Sequence, residues 1–349
     1  MNDARQNIHR SSFIVHRSSF IVRLRSRVMR QIRLGRTNVN VPAVSLGTWG
    51  HGGPRVNDEG VSVGWINHDD AQAREALVAA YRAGITHWDT ADVYGDGHAE
   101  QLIGQVWNEV PRGEIFLATK FGWDIGPAKH PYDPKHMRDH AERSLRNMRT
   151  DVIDLHYFHR CEFGSDDRYL DGALETMHRL REEGKVCFIG LSDWDATKIM
   201  KYIARVDPDV VQPYRNVVDD QYEASGLKAW VEERDLGVAF FSPLKHGLLL
   251  GKYDAPKDYS EGDFRSNVAD FCDPAAIERY KRAAAEMRRR FADRPEPVLH
   301  AVAGALLTDN PTACVLLGQR NPKQVAAAAS VGEALSVEDA EWVRTMYRA

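Results

Sequence analysis

Residues able to do acid–base chemistry follow three consecutive apolar segments of this chain. Asp89 and Tyr94 come after the first segment, Ile85–Trp88. Lys120 follows the second segment, and His159 follows the third. A carboxylate where a buried strand ends needs a cation or hydrogen-bond donors, and an ammonium near a tyrosine stabilises the phenolate and lowers its pKa. If the fold brings these side chains together, they predict a site at which Tyr94 donates a proton.

Each of these side chains also has a purely structural interpretation. Asp89 would cap a loop and Tyr94 would pack against the core, which is the commoner outcome for a short motif taken alone. A lone lysine after a strand is usually solvated, and a lone histidine there is usually a structural one. The choice therefore depends on the elements that position the four residues.

Those elements alternate between two periodicities. From Val44 onward, eight short segments rich in apolar and β-branched residues are each followed by a segment with helical periodicity. The predicted strands are Val44–Leu46, Ile85–Trp88, Ile115–Thr119, Val152–Tyr157, Val186–Leu191, Val210–Gln212, Val238–Phe241 and Cys314–Leu317. Near-continuous apolar strands between amphipathic helices are typical of a parallel sheet covered by helices. Eight such units predict an α/β fold, a closed (β/α)8 TIM barrel.

Four further segments belong to the predicted architecture. The alternating residues around Gly35 predict an N-terminal β-hairpin ahead of the barrel. Residues 52–68 and the polar insertion 254–272 are expected to be loops, and Tyr222–Arg234 is expected to be one helix. An open dinucleotide-binding sheet would place a Gly-x-Gly-x-x-Gly turn after its first strand, and no glycines with that spacing follow Val44–Leu46.

A barrel of this kind brings the four polar residues to one place. The residues just past the carboxyl ends of its strands share one rim, where active sites lie. Asp89 and Tyr94 follow the second predicted strand, Lys120 the third and His159 the fourth. Their joint occurrence at successive strand ends favours a chemical site over four separate structural roles.

Composition narrows the class of protein. The chain has 349 residues, of which 43% are hydrophobic and 28% are charged, as in a globular protein with a large core. It contains no apolar run of membrane-spanning length, and its four cysteines form no Cys-x-x-Cys pair, which fits a reducing compartment. We therefore expect a cytoplasmic protein that binds no membrane.

The first 28 residues differ from the rest. HRSSFIV occurs twice in tandem, and residues 1–28 carry a formal charge of +5 against −4 for the whole chain, which leaves −9 for residues 29–349. An organelle transit peptide or a basic nucleic-acid-binding arm would have a similar composition. We favour an unstructured leader or a mis-assigned start, with Met29 as the working start and residues 29–349 as a single barrel domain. The acidic remainder predicts no nucleic-acid binding.

A family resemblance adds to this interpretation. The segments DTADVYG, ATKFG, DVIDLHYFH, GKVCFIGLSDW, FFSPLKHGLLLGKY and VLLGQRNPKQV occur in this order. Together they resemble the aldo-keto reductase superfamily, and within it the microbial and plant reductases related to potassium-channel β subunits. The resemblance extends from about Arg30 to the end of the chain.

The resemblance implies a catalytic tetrad of Asp89, Tyr94, Lys120 and His159. Tyr94 would donate a proton to the substrate oxygen as hydride arrives from a nicotinamide, and His159 would hydrogen-bond the carbonyl. Asp89 would hold and orient Lys120. No metal is needed, in agreement with a sequence that shows no metal-ligand spacing and no clustered histidine and carboxylate ligands.

The resemblance also implies an NADP(H) cofactor, with NAD(H) as the alternative. The matching positions are Ser192, Asp193, Gln212, Tyr214, Ser242, Leu244, Gly247, Gly318, Arg320 and Gln324. A guanidinium suits a 2′-phosphate, so Arg320 favours NADP(H). The chain departs from the family at Asp193, where Asn is usual, and at Ala327-Ala328, where an acid–Asn pair is usual. Arg215 replaces the usual nicotinamide-stacking aromatic, unless Tyr214 takes that role through a local shift.

Aromatic residues on the predicted rim suggest the substrate. Trp49 and Trp123, with Trp194, His51 and Phe121 nearby, would suit a small carbonyl compound or a sugar ring, although tryptophans also simply pack. The acidic residues of the segment 161–169 disfavour an anionic substrate such as a sugar phosphate.

Two functions of other classes compete with a reductase. One is a cofactor-binding regulatory or partner subunit on the same barrel, as in the channel β subunits, which keep the tetrad. The other is a metal-dependent barrel hydrolase, which the missing ligand spacing disfavours.

Overall fold

The computed structural model describes residues 29–57, 59–124 and 126–349. The predictions for residues 1–28 lie outside this part of the chain. Ahead of the barrel, β1 (Gln31–Arg33) and β2 (Asn40–Pro42) pair in antiparallel fashion around a 3-10 turn at Gly35–Thr37. The predicted N-terminal hairpin is therefore confirmed.

Eight parallel strands form a closed barrel. They are β3 (Val44–Gly47), β4 (His87–Asp89), β5 (Phe116–Phe121), β6 (Ile153–Phe158), β7 (Val186–Asp193), β8 (Val210–Pro213), β9 (Gly237–Phe240) and β10 (Ala313–Gly318). Each strand pairs with the next in sequence, and β10 closes the ring against β3. All eight predicted strands are present, with boundaries that differ by one or two residues, so the predicted TIM barrel is confirmed.

Helices cover the outside of the barrel. They are α1 (Asp70–Arg82), α2 (His98–Gly104), α3 (Pro134–Met148), α4 (Leu170–Glu182), α5 (Ala196–Val206), α6 (Gln221–Ala224), α7 (Leu227–Arg234), α8 (Pro274–Arg290), α9 (Pro297–Leu307), α10 (Pro322–Ala329) and α11 (Val337–Arg348). The prediction of one helix over Tyr222–Arg234 is wrong. Gly226 adopts a φ of +84°, a left-handed conformation that ends α6 and starts α7.

The interior of the barrel is packed rather than hollow. Tyr157 on β6 is fully buried, and its ring fills the space above Gly190 on β7, where an added Cβ would lie 2.1 Å from the ring. Only glycine fits there, so the two strands can approach each other over the large side chain. Trp88 and Phe240 are also fully buried. This close packing holds the strand ends, and the polar residues on them, in fixed positions.

Two loops meet over the carboxyl-end rim. The backbone N–H of Phe264 donates to the carbonyl of Gly64 at 2.8 Å, and the N–H of Gly262 donates to the Ser62 hydroxyl at 2.9 Å. The carboxylate of Asp263 accepts from the N–H of Ile66 at 3.1 Å. The two segments expected to be loops thus form one connected cover. Among the described helices, none combines the length and apolarity needed to cross a membrane.

Candidate active site

The ammonium of Lys120 connects the residues at the ends of β4 and β5. Its Nζ lies 2.5 Å from Oδ1 of Asp89 and 2.6 Å from the carbonyl oxygen of Thr90. The same Nζ lies 3.3 Å from the hydroxyl of Tyr94. Gln212 on β8 donates to the other oxygen of Asp89 at 2.8 Å. Lys120 and Asp89 thus form a buried, fully hydrogen-bonded ion pair, and Tyr94 lies at its edge.

Burial and charge set the protonation of this group. Burial opposes the charged form of Lys120, but the Asp89 carboxylate and Tyr94 outweigh it and raise the pKa of the ammonium. Lys120 lowers the pKa of Tyr94, as the sequence analysis expects, but the net shift of that pKa is upward. Burial raises the pKa of Tyr94 and Asp89 adds to it, while Lys120 only partly offsets them. Tyr94 is therefore protonated at neutral pH and able to donate.

His159 lies against Tyr94 just after β6. The two rings are 6.0 Å apart in an edge arrangement. Burial lowers the pKa of His159 well below its ordinary value, and Lys120 and Arg160 lower it further. Its Nδ1 is buried and has no partner among the described residues. His159 is therefore a neutral imidazole that is suited to bond a substrate rather than to carry charge.

A cavity of about 580 Å³ opens at this rim. Most residues predicted for catalysis or binding line it, namely Asp89, Tyr94, His159, Ser192, Gln212, Ser242, Leu244, Gly247, Gly318, Arg320, Gln324, Trp49 and Trp123. Lys120 is behind this wall and acts on it through Tyr94. Residues more than 250 positions apart in the chain thus contribute to one cavity because every parallel strand ends at the same rim.

Asp193 is directed to the protein backbone rather than to the cavity. One carboxylate oxygen accepts from the N–H of Cys161 at 2.7 Å, and the other accepts from the N–H of Asp195 at 2.9 Å. The side chain is buried and is not part of the cavity lining. Asp193 therefore holds the loops after β6 and β7 together, while the neighbouring Ser192 lines the cavity.

Neither candidate for the stacking position faces the cavity. Arg215 is fully buried, and its guanidinium pairs with Asp220 at 2.9 Å and lies over the ring of Tyr222 at 4.7 Å. Tyr214 packs behind Trp194, with ring centres 5.2 Å apart. Ala328 is buried in the core, so it makes no contact with the cavity. The departure at Arg215 is thus a structural ion pair.

Aromatic residues that sequence reasoning missed form much of the wall. Phe241, Trp65, His246 and Phe264 line the cavity. Phe264 comes from the insertion 254–272 and stacks on Trp194 with ring centres 5.6 Å apart. Phe241 had a sequence signal, because it directly precedes Ser242 in the segment FFSPLKHG. Trp65 and Phe264 had none, since no periodicity governs long loops.

The expectations for the substrate end are only partly met. Trp49 and Trp123 line the cavity, and Trp49 stacks near Tyr94 with ring centres 6.1 Å apart. His51 and Phe121 are buried away from the lining. The acidic residues of the segment 161–169 lie outside the lining, so they give no argument against an anionic substrate. The charged residues that do line the cavity are Arg55, Arg160, Lys252, Arg265, Arg320, Glu59, Asp89 and Asp124.

The loop after β9 has unusual backbone geometry where it lines the cavity. Ser242 and His246 adopt φ values of 55° and 59°, and Gly247 follows at 94°. Residues other than glycine rarely adopt this conformation, and such strain concentrates at ligand-binding positions. At the far end, Arg320 donates to the carbonyl of Ile66 at 3.0 Å, and Gln324 accepts from the Arg320 N–H at 2.7 Å.

Metal-ligating side chains do converge at one place outside the cavity. His68, Asp70 and His98 each offer a ligand atom within 4.8 Å of the others. The expectation that the chain has no clustered histidine and carboxylate ligands is therefore wrong. The 28-residue separation of Asp70 and His98 hides the group from any search for short ligand spacings.

Comparison with known proteins agrees with this geometry. The sequence profile of the aldo/keto reductase family matches residues 43–346. The chain is 32% identical over 202 residues to "Aldo-keto reductase yakc [NADP(+)]" of Schizosaccharomyces pombe, covering 56% of this chain and 58% of that protein. It is 27% identical over 256 residues to the "NADH-specific methylglyoxal reductase" of Escherichia coli, covering 70% and 75%.

A solved structure extends the match to the whole barrel. The glycerol dehydrogenase of Gluconobacter oxydans superposes with a TM-score of 0.75 at 28% identity, covering 90% of this chain and 94% of that one. The chain spans about 60% of the length of the first curated relatives that it matches. The family match covers most of the chain and includes every strand of the closed barrel. The chain belongs to the aldo/keto reductase family.

Proposed function

We propose that this chain is an NADP(H)-dependent oxidoreductase that reduces small aldehydes or ketones, or oxidises sugars, with Tyr94 as the general acid and base. The observation that supports it most directly is the position of the Lys120 ammonium. It lies between the Asp89 carboxylate and the Tyr94 hydroxyl, which both line the cavity. The family relatives bear names that specify NADP(+) in one case and NADH in another.

We expect the cavity to hold a nicotinamide dinucleotide. Tyr94 and Arg320 both line it, and polar and cationic side chains are distributed along its wall. Ser192 and Gln212 would hold the carboxamide end, with Phe241 as the apolar surface beside them. Ser242, Leu244 and Gly247 would hold the pyrophosphate, and Gly318, Arg320 and Gln324 the adenosine ribose. When bound, the reduced cofactor supplies a hydride to the carbonyl carbon.

The chain's own residues perform the proton chemistry. Tyr94 gives its hydroxyl proton to the carbonyl oxygen, so that the product is an alcohol and the tyrosine becomes a phenolate. The Lys120 ammonium at 3.3 Å stabilises this phenolate, and the phenolate regains a proton from solvent. His159, which is neutral, orients the carbonyl by a hydrogen bond. In the reverse direction the Tyr94 phenolate accepts the proton of the alcohol.

The aromatic wall suggests the size and polarity of the substrate. Trp49 and Trp123 flank the catalytic group. The ring centres of Trp123 and His159 are 6.1 Å apart, with the two rings perpendicular. Flat aromatic faces pack well against short aldehydes and against the apolar face of a sugar ring. The cationic groups at the cavity wall make phosphorylated carbonyl compounds acceptable substrates as well.

The test is NADPH oxidation against a panel of aldehydes, with sugars and NADP+ in the reverse direction. Tyr94→Phe should lower kcat by about 10²–10⁴-fold, the usual contribution of general acid catalysis, and leave the Kd for NADPH within about twofold. Tyr202→Phe is the matched control, because its hydroxyl bonds Asp167 outside the cavity at 2.5 Å. Full activity in Tyr94→Phe would refute the mechanism. A wild-type protein that binds NADPH but turns over no substrate would instead indicate the regulatory subunit.

A further inference from the structure

A group of three side chains outside the cavity has no part in the proposed reaction. His68 lies two residues before Asp70, the first residue of α1, and His98 is the first residue of α2. The Nε2 of His98 lies 2.8 Å from Oδ1 of Asp70, and the Nε2 of His68 bonds the same oxygen. The two imidazole rings stand edge to face with their centres 5.4 Å apart. Both rings thus direct the same type of nitrogen at one carboxylate oxygen.

The donor atoms are those of a transition-metal site. Two imidazole nitrogens and a carboxylate oxygen suit Zn²⁺, Co²⁺ or Ni²⁺, whereas Ca²⁺ and Mg²⁺ prefer oxygen ligands throughout. The three ligand atoms already lie within 4.8 Å of one another, and zinc ligands sit at roughly 2.0–2.2 Å from the ion. Small side-chain rotations therefore bring all three into contact with one ion. The two neutral imidazoles add no charge, and the single carboxylate offsets half of the charge of a divalent ion.

The ligands are held in place by the elements that carry them. Asp69 caps α1 by accepting from the N–H of Gln72 at 3.0 Å, which fixes the first turn at Asp70. Gly97 adopts a φ of 85° and starts α2 at His98. The side chain of His68 is only 15% exposed. A site whose ligands are pre-oriented loses less entropy on binding an ion.

We propose that His68, Asp70 and His98 bind one divalent transition-metal ion, with water completing the coordination. None of the three is part of the cavity lining, so the ion would not touch the substrate. It would connect the end of the loop 52–68, which lines the cavity, to the turn that begins four residues before His98, at Tyr94. The ion would act as a structural clamp beside the rim, and this inference does not rest on the proposed function.

Two charged residues lie beside the three ligands without belonging to them. Asp69 is engaged in the cap of α1, where it accepts from the N–H of Gln72. Arg320 lines a small adjoining pocket together with His68.

The experiment uses the full chain without an affinity tag, stripped with a chelator and titrated with Co²⁺ by visible absorption and with Zn²⁺ by calorimetry. We expect the wild-type protein to bind one equivalent of the metal ion. The substitutions His68→Ala and His98→Ala should each raise the Kd for the ion by at least about tenfold. Asp70→Asn, which keeps the shape of the side chain, should do the same and serves if an alanine variant does not fold.

His178→Ala is the matched control, since His178 bonds Arg181 on α4 and belongs to no ligand group among the described residues. It should bind as the wild type does. The histidines of residues 1–28 are present in every variant and so contribute equally. Unchanged affinity in His68→Ala and His98→Ala, or no bound equivalent in the wild type, would overturn the proposal.

Discussion

The hydroxyl of Tyr94 lies 3.3 Å from the ammonium of Lys120, and the same ammonium lies 4.9 Å from the centre of the Tyr94 ring. The contact is close enough for a charge-assisted hydrogen bond to a phenolate. Because burial raises the pKa of Tyr94 in spite of this contact, the lysine matters most at the moment when the tyrosine has given up its proton. A charge that is needed only then stabilises the transition state more than the ground state.

Removal of the ammonium should therefore slow the chemical step and leave binding intact. We expect Lys120→Met to lower kcat by about 10²–10⁴-fold, with the Kd for NADPH within about threefold of the wild type. The measurement is steady-state NADPH oxidation together with a fluorescence titration of the cofactor. Lys120→Arg keeps the charge and should regain part of the rate. A Lys120→Met variant that retains a tenth of the wild-type kcat would contradict this role.

Arg320 should decide the preference between the two dinucleotides. Its guanidinium lines the end of the cavity and is held by the carbonyl of Ile66. Loss of a hydrogen bond to a charged group costs about 1.5–3 kcal/mol, so Arg320→Leu should raise the KM for NADPH by roughly tenfold or more and change the KM for NADH little. Lys323→Leu is the control, because Lys323 is exposed on α10. Equal effects of Arg320→Leu on both dinucleotides would show that the arginine does not recognise a 2′-phosphate.

Asp193 should matter for stability more than for the cofactor. Its two oxygens accept from two backbone N–H groups, and an asparagine can satisfy only one of them. We expect Asp193→Asn to lower the free energy of unfolding by about 1–3 kcal/mol and to leave the Kd for NADPH within about threefold. Asp195→Asn makes the same chemical change at the cap of α5, where asparagine caps equally well. A large loss of NADPH affinity in a stable Asp193→Asn protein would restore its predicted role at the carboxamide.

Buried histidines should make the fold sensitive to acid. Burial lowers the pKa of His156 to about 3, whereas an unfolded histidine titrates near ~6.5. Between these values the unfolded state binds more protons, so stability falls as the pH drops through 6.5. One such histidine lowers the free energy of unfolding by about 1.4 kcal/mol between pH 7.5 and pH 5.5.

His156→Phe isolates this contribution. Neither ring nitrogen of His156 has a hydrogen-bond partner within the described residues, and the ring lies 4.7 Å from Phe121. The free energy of unfolding should be measured with urea at pH 7.5 and at pH 5.5. Its change between the two pH values should be about 1.4 kcal/mol smaller in His156→Phe than in the wild type. Leu155→Val, a change without a titrating group on the same strand, should lower both values equally. An unchanged pH difference in His156→Phe would mean that the histidine is not neutral in the folded state.

The barrel and its acid–base group follow from local patterns. Apolar strand segments alternate with segments that have helical periodicity. Lys120 is the second-last residue of β5, and His159 directly follows β6. Parallel strands in a closed barrel place every carboxyl end at one rim whatever the distance in sequence. The sequence alone was therefore enough to predict that the four residues lie together at one rim, and the family resemblance supplied their roles.

Only the tertiary structure decided which residues of the loops face the cavity. Outside regular elements no period relates sequence position to side-chain direction, so Asp193 turns to the backbone while Ser192 lines the wall. The same reason explains why Phe264 was missed. His68 and His98 meet because α1 and α2 begin side by side, a contact that depends on packing rather than on spacing. The sequence by itself determined where the strands end and which acid–base residues lie at those ends. The packing of loops and helices decided which other residues surround this acid–base group.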